Sequence, residues 1–364
     1  TTVAATIVTT PIAAFHFGTV STIALLANLF AIPAVSIAVP ASAAAVAVSA
    51  LSFNAGRFVA AGAEISLASL DRVAIVSAAT PYGHFAAHPR QLLSWFNVRD
   101  AKEIEIHMID VGQGDAIALR TPHGRWLLVD AGPASQQFDA GQRNVVPFLL
   151  EHGVRTIDAF IITHPDLDHF GGARAVVNML DVKTIYDPGV PVGKSTYDSL
   201  LIAAAQRGTT WQRVRTGTVL NFDEVTLQFL HPDTVLLDAS EAANDYSAVF
   251  RLSYGAFSAL FTGDASSDVE LRMIRRFGRD LDVDLLKVGH HGSGTSTSAE
   301  ILEVSTPSIA LLSVGRRNRY RHPNPGVLER LESSGAAILR TDRQGNISLR
   351  ISERGEAIAA RVGQ

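Results

Sequence analysis

The first 56 residues contain no Asp, Glu, Lys or Arg, although the whole chain of 364 residues holds 31 basic and 35 acidic ones. An uncharged stretch of this length leaves few folds open. A buried core helix uses about 10–14 apolar residues, and a secretory signal is short and opens on a basic region, so neither accounts for it. A membrane does. The run from Thr22 to Val39 is 18 residues, the lower end of what a spanning helix needs, and Ala41 to Leu51 extends it. Pro11, Pro33 and Pro40 are expected to kink or break these helices, which membrane proteins tolerate where neighbouring segments satisfy the freed carbonyls. The Ala, Ser and Gly content favours close helix–helix packing over a lone anchor. Two or three membrane helices are expected over residues 1–56, and a chain that starts at Thr1 reads as a fragment of something longer.

Composition narrows the rest. An apolar content of 47% excludes disorder, and the absence of Cys excludes a disulfide scaffold, a thiol nucleophile and Cys-ligated metals. A net charge of −4 provides no global attraction for nucleic acid. Residues 57–100 read as a linker: Glu64, Asp71, Arg72 and Arg90 return, and Pro81, Tyr82, Gly83 and Pro89 signal loop. The isolated His16, His84 and His88 read as polar positions and not as ligands.

From residue 101 to 364 the pattern is globular. Glu103–Ile109 alternates, with Ile104, Ile106 and Met108 on one face, which predicts a half-buried strand. Strands are expected at 116–121, 126–130, 159–163, 225–230, 248–254, 257–262, 284–288, 309–314, 338–339 and 347–351. Helices are expected at 144–152, 173–180, 199–206, 267–277, 299–304 and 324–334. Strands interleaved with helices indicate a layered α/β domain with helices outside two sheets.

The strongest chemical signal is Thr163-His164-Pro165-Asp166-Leu167-Asp168-His169-Phe170-Gly171-Gly172, which follows an apolar strand. Imidazole nitrogens and carboxylate oxygens are ligands for Zn²⁺, Mn²⁺ or Fe²⁺. Alternating spacing on a loop turns His164 and Asp166 one way and Asp168 and His169 another, which suits two ions. An Asp-rich turn capping a helix would give the same string alone. Two further strand ends argue against that: Thr262-Gly263-Asp264-Ala265, and Lys287-Val288-Gly289-His290-His291-Gly292-Ser293.

Together these three clusters resemble the metallo-β-lactamase superfamily. The strings Asp110-Val111-Gly112-Gln113-Gly114-Asp115, Leu128-Val129-Asp130-Ala131-Gly132, Asn244-Asp245-Tyr246-Ser247 and Ser313 to Pro323 are similar to its ComEC-type DNA-uptake subgroup. His16-Phe17-Gly18 and Leu25 to Leu29 are similar to the last membrane segments of that group's channel domain. The resemblance implies an αββα sandwich preceded by transmembrane helices, two divalent metal ions, and hydrolysis of an ester or phosphodiester. It implies that His164 and Asp166 bind one metal, that Asp168 and His169 bind the other, that Asp264 bridges and that His290 completes the ligand set of the second metal. His291 stands at the site. Asp166 replaces the superfamily's usual second His, and this harder ligand shifts the preference from zinc towards manganese. For the third motif, Asn244, Asp245 and Ser247 fit the subgroup better than His231 does.

Two metals about 3.5–4 Å apart activate water and polarise a phosphoryl oxygen, so no Ser or Cys nucleophile is required. The expected reaction is in-line attack on a phosphodiester with Asp168 and Asp264 at its centre, and Lys287 or His322 supplying a cation for the developing charge. Asp110, Asp115 and Asp130 are expected beside the ligands or in turns, with Gly112 and Gly114 permitting a turn. Asn244 and Ser247, with Arg319, Tyr320 and Arg321, are the expected substrate contacts: the Arg side chains track a backbone and Tyr320 stacks a base. Arg272, Arg275, Arg276 and Arg279 read as a solvated helix face. The leading expectation is the hydrolase module of a multi-pass DNA-uptake channel in the bacterial cytoplasmic membrane. Its partners would be single-stranded DNA, the membrane and other uptake proteins, and it would degrade the strand that is not imported. The alternatives are a membrane-anchored hydrolase of another ester, such as a phosphocholine or lactone, and a non-catalytic channel module with structural metals.

Overall fold

The computed structural model describes residues 19–21, 23–80, 84–86, 103–190, 195–233 and 243–363. Pro11, the His16-Phe17-Gly18 string, Pro81 to Gly83, His88, Pro89 and Arg90 lie outside them. The chain divides into two compact units, residues 1–99 and 100–364.

The first unit contains strand β1 (Thr19–Ser21), helices α1 (Ala24–Ser49) and α2 (Phe53–Ala79), and strand β2 (His84–Ala86), which pairs antiparallel with β1. Helix α1 continues through Pro33 and Pro40 without a break. Among the described residues one helix, over Leu26–Ser49, is long and apolar enough to cross a membrane. Its large side chains, Leu29, Phe30, Ile37, Val39 and Val46, point outward and are exposed. The residues it shares with α2 are small: Ala38, Ala45 and Ala63 are buried, and a Cβ on Gly56 would lie 2.0 Å from Ser49 Oγ. The segment expected as a linker from residue 57 is therefore helical as far as Ala79. Its four charges, Arg57, Glu64 and the adjacent Asp71 and Arg72, are spread through a Pro-free run of helix-forming residues, so they interrupt the hydropathy pattern without interrupting the helix.

The second unit is a four-layered αββα sandwich. One sheet has eight strands in the order β10 (Thr210–Arg213), β9 (Thr184–Asp187), β7 (Ala159–Ile161), β5 (Trp126–Val129), β4 (Ile117–Arg120), β3 (Glu103–Met108), β18 (Asn346–Ser352) and β19 (Ala357–Gly363). The other has seven in the order β11 (Val219–Phe222), β12 (Val225–His231), β13 (Val249–Tyr254), β14 (Phe257–Phe261), β15 (Leu285–Lys287), β16 (Ile309–Leu312) and β17 (Ala337–Arg340). In the first sheet β3 (Glu103–Met108), β4 (Ile117–Arg120) and β5 (Trp126–Val129) form an antiparallel meander. Strands β5, β7 (Ala159–Ile161) and β9 (Thr184–Asp187) then run parallel. In the second sheet β13 (Val249–Tyr254) and β14 (Phe257–Phe261) make a hairpin at Gly255. Strands β14, β15 (Leu285–Lys287), β16 (Ile309–Leu312) and β17 (Ala337–Arg340) follow in parallel, joined by helices α7 (Ser267–Phe277), α8 (Ala299–Ser305) and α9 (Pro325–Ser333). Parallel strands need such crossovers, and the crossovers bring successive carboxyl ends to one edge.

Between the sheets, alternate residues such as Ile104, Ile106, Met108, Leu227, Phe229, Phe250 and Phe261 form the central core. Two outer cores lie under the helices: Leu128, Phe160 and Val176 on one side, Leu260, Leu286 and Leu331 on the other. Strands β9, β10 (Thr210–Arg213), β11 (Val219–Phe222) and β19 (Ala357–Gly363) were not expected from periodicity. All four residues of β10 are exposed, so it has no apolar face to alternate. Two hydrogen bonds tie the sheets together at their shared edge: Ala248 N to Thr163 O at 2.7 Å and Ser313 Oγ to Gly114 O at 2.6 Å.

Candidate metal centre

Every chemical cluster of the sequence lies at that edge. Strand β5 ends at Asp130, and β7 ends at Thr163-His164 and enters helix α4 (Leu167–Phe170), with Asp166 at its N-cap. Strand β14 leads to Asp264, β15 to His290 and His291, and β16 to Ser313. The Asp166 side chain accepts no capping hydrogen bond from α4; it lines the cavity instead.

The donors include two groups, His164–His169–Asp264 and Asp168–His169–His291, each with ligand atoms within 4.8 Å of one another, and Asp168, Asp264 and His291 of these line the cavity. The groups share His169. His169 Nε2 lies 3.2 Å from Asp264 Oδ1, His291 Nε2 lies 3.5 Å from both Asp168 Oδ2 and Asp264 Oδ2, and His164 Nε2 lies 3.8 Å from Asp166 Oδ2.

All three imidazoles are committed in the same way. His169 donates Nδ1–H to Asp130 Oδ2 at 2.7 Å and His291 donates Nδ1–H to Ser313 O at 3.1 Å. Thr163 donates its hydroxyl to Asp130 Oδ2 at 2.7 Å and so accepts from His164 Nδ1, 3.1 Å away. The tautomers are thereby set, and Nε2 of His164, His169 and His291 remains buried with no hydrogen-bond partner, as does Asp264 Oδ1. A stable fold leaves few buried polar atoms orphaned. Four converging on one point are the expected donors of a cation-binding site, and imidazole with carboxylate suits a divalent transition metal.

The electrostatics agree. Burial, with His169 alongside, holds His164 down at about 4, so it is neutral and able to ligate. Burial alone would lower His291, but Asp264 and Asp115 outweigh it and push it up to about 9. His169 is raised in the same way by Asp264 and Asp130. Against the opposing effect of burial, His169 and His291 hold Asp264 well below the carboxylate range, and His291 with His169 holds Asp168 at about 2. A divalent cation would take the place of the protons these two imidazoles carry.

Several expected roles change. His291, not His290, stands in the donor groups. Both residues have left-handed backbones, φ 47° and 52°, and this tight turn sends the adjacent rings in different directions. His290 lies on the cavity wall, where Asn244 Nδ2 approaches its ring at 3.4 Å. Ser247 is wholly buried, accepts the Asp264 backbone N–H at 3.1 Å and is absent from the cavity wall, so in this structure it supports the Asp264 segment. Lys287 is 1% exposed and absent from the cavity wall; it pairs with Asp115 and donates to Gly263 O at 3.0 Å. His322 does line the cavity, but burial with His290 and His291 nearby lowers its pKa, so it faces the cavity neutral. His231 belongs to a separate cavity with Arg272 and Arg276.

Asp115 was expected only near the site, yet it is 2% exposed, and its Oδ1 lies 3.4 Å from His291 Nδ1. Its place in the tight turn after Gly112 and Gly114 was the one signal for it. The cavity measures about 330 Å³ and is lined by Gln113, Asp166, Asp168, His290, Tyr320 and His322 among others. Tyr320 stacks on His322 with centroids 5.8 Å apart, and Arg319 Cζ lies 5.0 Å over the Tyr320 ring. Asn318 fixes this loop by bonding Gly315 O at 2.9 Å and both the backbone O and N of His322. Arg319 and Arg321 are exposed outside the cavity.

Residues 109–316 match the family described as Metallo-beta-lactamase superfamily, and residues 1–96 match the Competence protein family. The ComE operon protein 3 of Bacillus subtilis (strain 168) is 33% identical over 266 residues, covering 70% of this chain and 34% of the relative. The Competence protein ComA of Neisseria gonorrhoeae is 32% identical over 254 residues, covering 70% and 33%. The chain thus spans about a third of the length of these curated relatives. Among solved structures, the metallo-beta-lactamase fold protein YhfI from Bacillus subtilis aligns with a TM-score of 0.42 and 14% identity, over 65% of this chain and 95% of that one. The chain belongs to the metallo-beta-lactamase superfamily, and the segment ahead of that domain, residues 1–96, matches the Competence protein family.

Proposed function

We propose that the C-terminal unit is a metal-dependent phosphodiesterase acting on single-stranded DNA, and that the whole protein is a DNA-uptake channel of the bacterial cytoplasmic membrane. The observation that carries the reaction is the set of three buried His Nε2 atoms and Asp264 Oδ1, all without hydrogen-bond partners and gathered beside the cavity that Asp264 and His291 line. His164, His169 and Asp264 would hold one divalent ion, and Asp168 and His291, with the second oxygen of Asp264, another, manganese or zinc. Bound ions would supply Lewis-acid polarisation of a phosphoryl oxygen and acidify water near neutral pH.

The chain's own groups orient and select. Asp130 and Ser313 O fix the imidazoles, and Ser247 fixes Asp264. Tyr320, stacked on His322 at the rim, offers an aromatic face to an unpaired base, while Arg319 and Arg321 meet the phosphates on either side. Neutral His322 offers a hydrogen-bond donor towards the scissile group. The Competence protein match and the names of the relatives support the uptake setting, and the exposed apolar surface of α1 supports a membrane location.

The test is cleavage of labelled single-stranded DNA by the purified chain with Mn²⁺ or Zn²⁺. Cleavage should vanish with chelator and with Asp264→Asn, and the Arg319→Ala/Arg321→Ala double variant should lose DNA cleavage while hydrolysis of a small phosphodiester continues. A metal-loaded chain that cuts no nucleic acid would overturn the reading.

A further inference from the structure

Asp115, Asp264 and His291 form another compact donor group, with ligand atoms within 4.8 Å of one another, as do Asp115, Asp130 and His169. Both contain Asp115, and neither opens on the cavity through it: Asp115 is 2% exposed and does not line the wall. The Lys287 side chain reaches into these groups. Its Nζ pairs with Asp115 Oδ2, lies 3.8 Å from Asp264 Oδ1 and donates to Gly263 O at 3.0 Å, so three oxygens surround the ammonium. Lys287 is 1% exposed, among the largest fully buried side chains, and no solvent separates it from these carboxylates.

We infer that the Lys287 ammonium is the resident cation of the Asp115-containing groups and keeps a divalent ion out of them. Asp115, Asp130 and Asp264 are buried close together, and carboxylates so arranged need positive charge. The two groups without Asp115 would take it from exchangeable ions, and the two groups that contain Asp115 take it from the chain. Lys287 is thus a positioning residue, acting through Asp115 and Asp264. The inference rests on the metal-centre reading above.

The test compares the full chain with Lys287→Met and Lys287→Met/Asp115→Asn. The readouts are Mn²⁺ bound per chain by equilibrium dialysis and thermal midpoint with and without Mn²⁺. Lys287→Met strands a buried carboxylate, so the metal-free midpoint should fall on the order of 10 °C. It should recover on adding Mn²⁺, with more Mn²⁺ bound per chain than in the unsubstituted protein. The double variant removes the stranded charge, so it should be more stable without metal than Lys287→Met and return to the unsubstituted Mn²⁺ count. A Lys287→Met chain that binds the same non-zero number of ions would overturn the inference. So would a double variant no more stable than Lys287→Met, a comparison that holds even if the single variant folds poorly. An unsubstituted chain that binds no Mn²⁺ or Zn²⁺ would instead sink the metal-centre reading.

Discussion

At the scale of single residues, the site is decided by which nitrogen each imidazole presents. Asp130 does not point at the cavity, yet its two oxygens accept from His169, Thr163 N and Thr163 Oγ1 and so fix the face that His169 shows. The residue types and their clustering were legible in the sequence, because three strand ends rich in His and Asp have few other uses. The choice between His290 and His291 was not. Adjacent residues share every sequence property, and only two successive left-handed backbone conformations separate their rings. His291→Ala should therefore weaken divalent-ion affinity by more than the 10–100-fold that loss of an orienting neighbour costs. His290→Ala should leave ion affinity at the level of the unsubstituted chain and raise KM for substrate, since its ring lies on the cavity wall. Competition with a chelating dye, beside steady-state kinetics, separates the two.

At the scale of elements, alternation predicted the strands that face the central core, because a buried face imposes a period of two. It failed for β10, which is solvated on both faces, and for the linker, where scattered charges concealed helix α2. The loop before β4 was recognised as a turn from its glycines, but the reason for Gly114 is tertiary. Its φ is +144°, and a Cβ there would lie 2.2 Å from Asp168 O, in the loop that carries the ligands. Asp115 N also donates to that same carbonyl at 3.2 Å. Gly114→Ala should cost about 1–3 kcal/mol through backbone strain alone, and more through displacement of Asp168. The denaturant midpoint should fall at an unchanged m-value, and ion affinity should fall with it.

At the scale of the whole molecule, the second unit carries its central core, both outer cores and all the donors within residues 103–363. Residues 101–364 expressed alone should fold cooperatively, and chelation should destabilise them. An ion at a hundredfold excess over Kd adds about 2.7 kcal/mol, so metal removal should lower the thermal midpoint by roughly 5–10 °C. An unchanged midpoint would mean that the donor groups bind no ion in the native state. What the amino-acid sequence determined on its own is local: an apolar helix, the strand periodicities, and the donor chemistry at strand ends, each set by residues within one turn or one loop. The tertiary structure decided the rest. It put His291 and Asp115 into the cluster, turned Lys287 away from the substrate cavity and made Ser247 a support for Asp264. The physical reason is distance along the chain: these contacts join different strand ends, 17 positions apart for Ser247 and Asp264 and far more for Asp115 and His291, or separate residues one position apart. Only the closing of the two sheets on each other fixes which groups share a buried space and which must balance one another's charge.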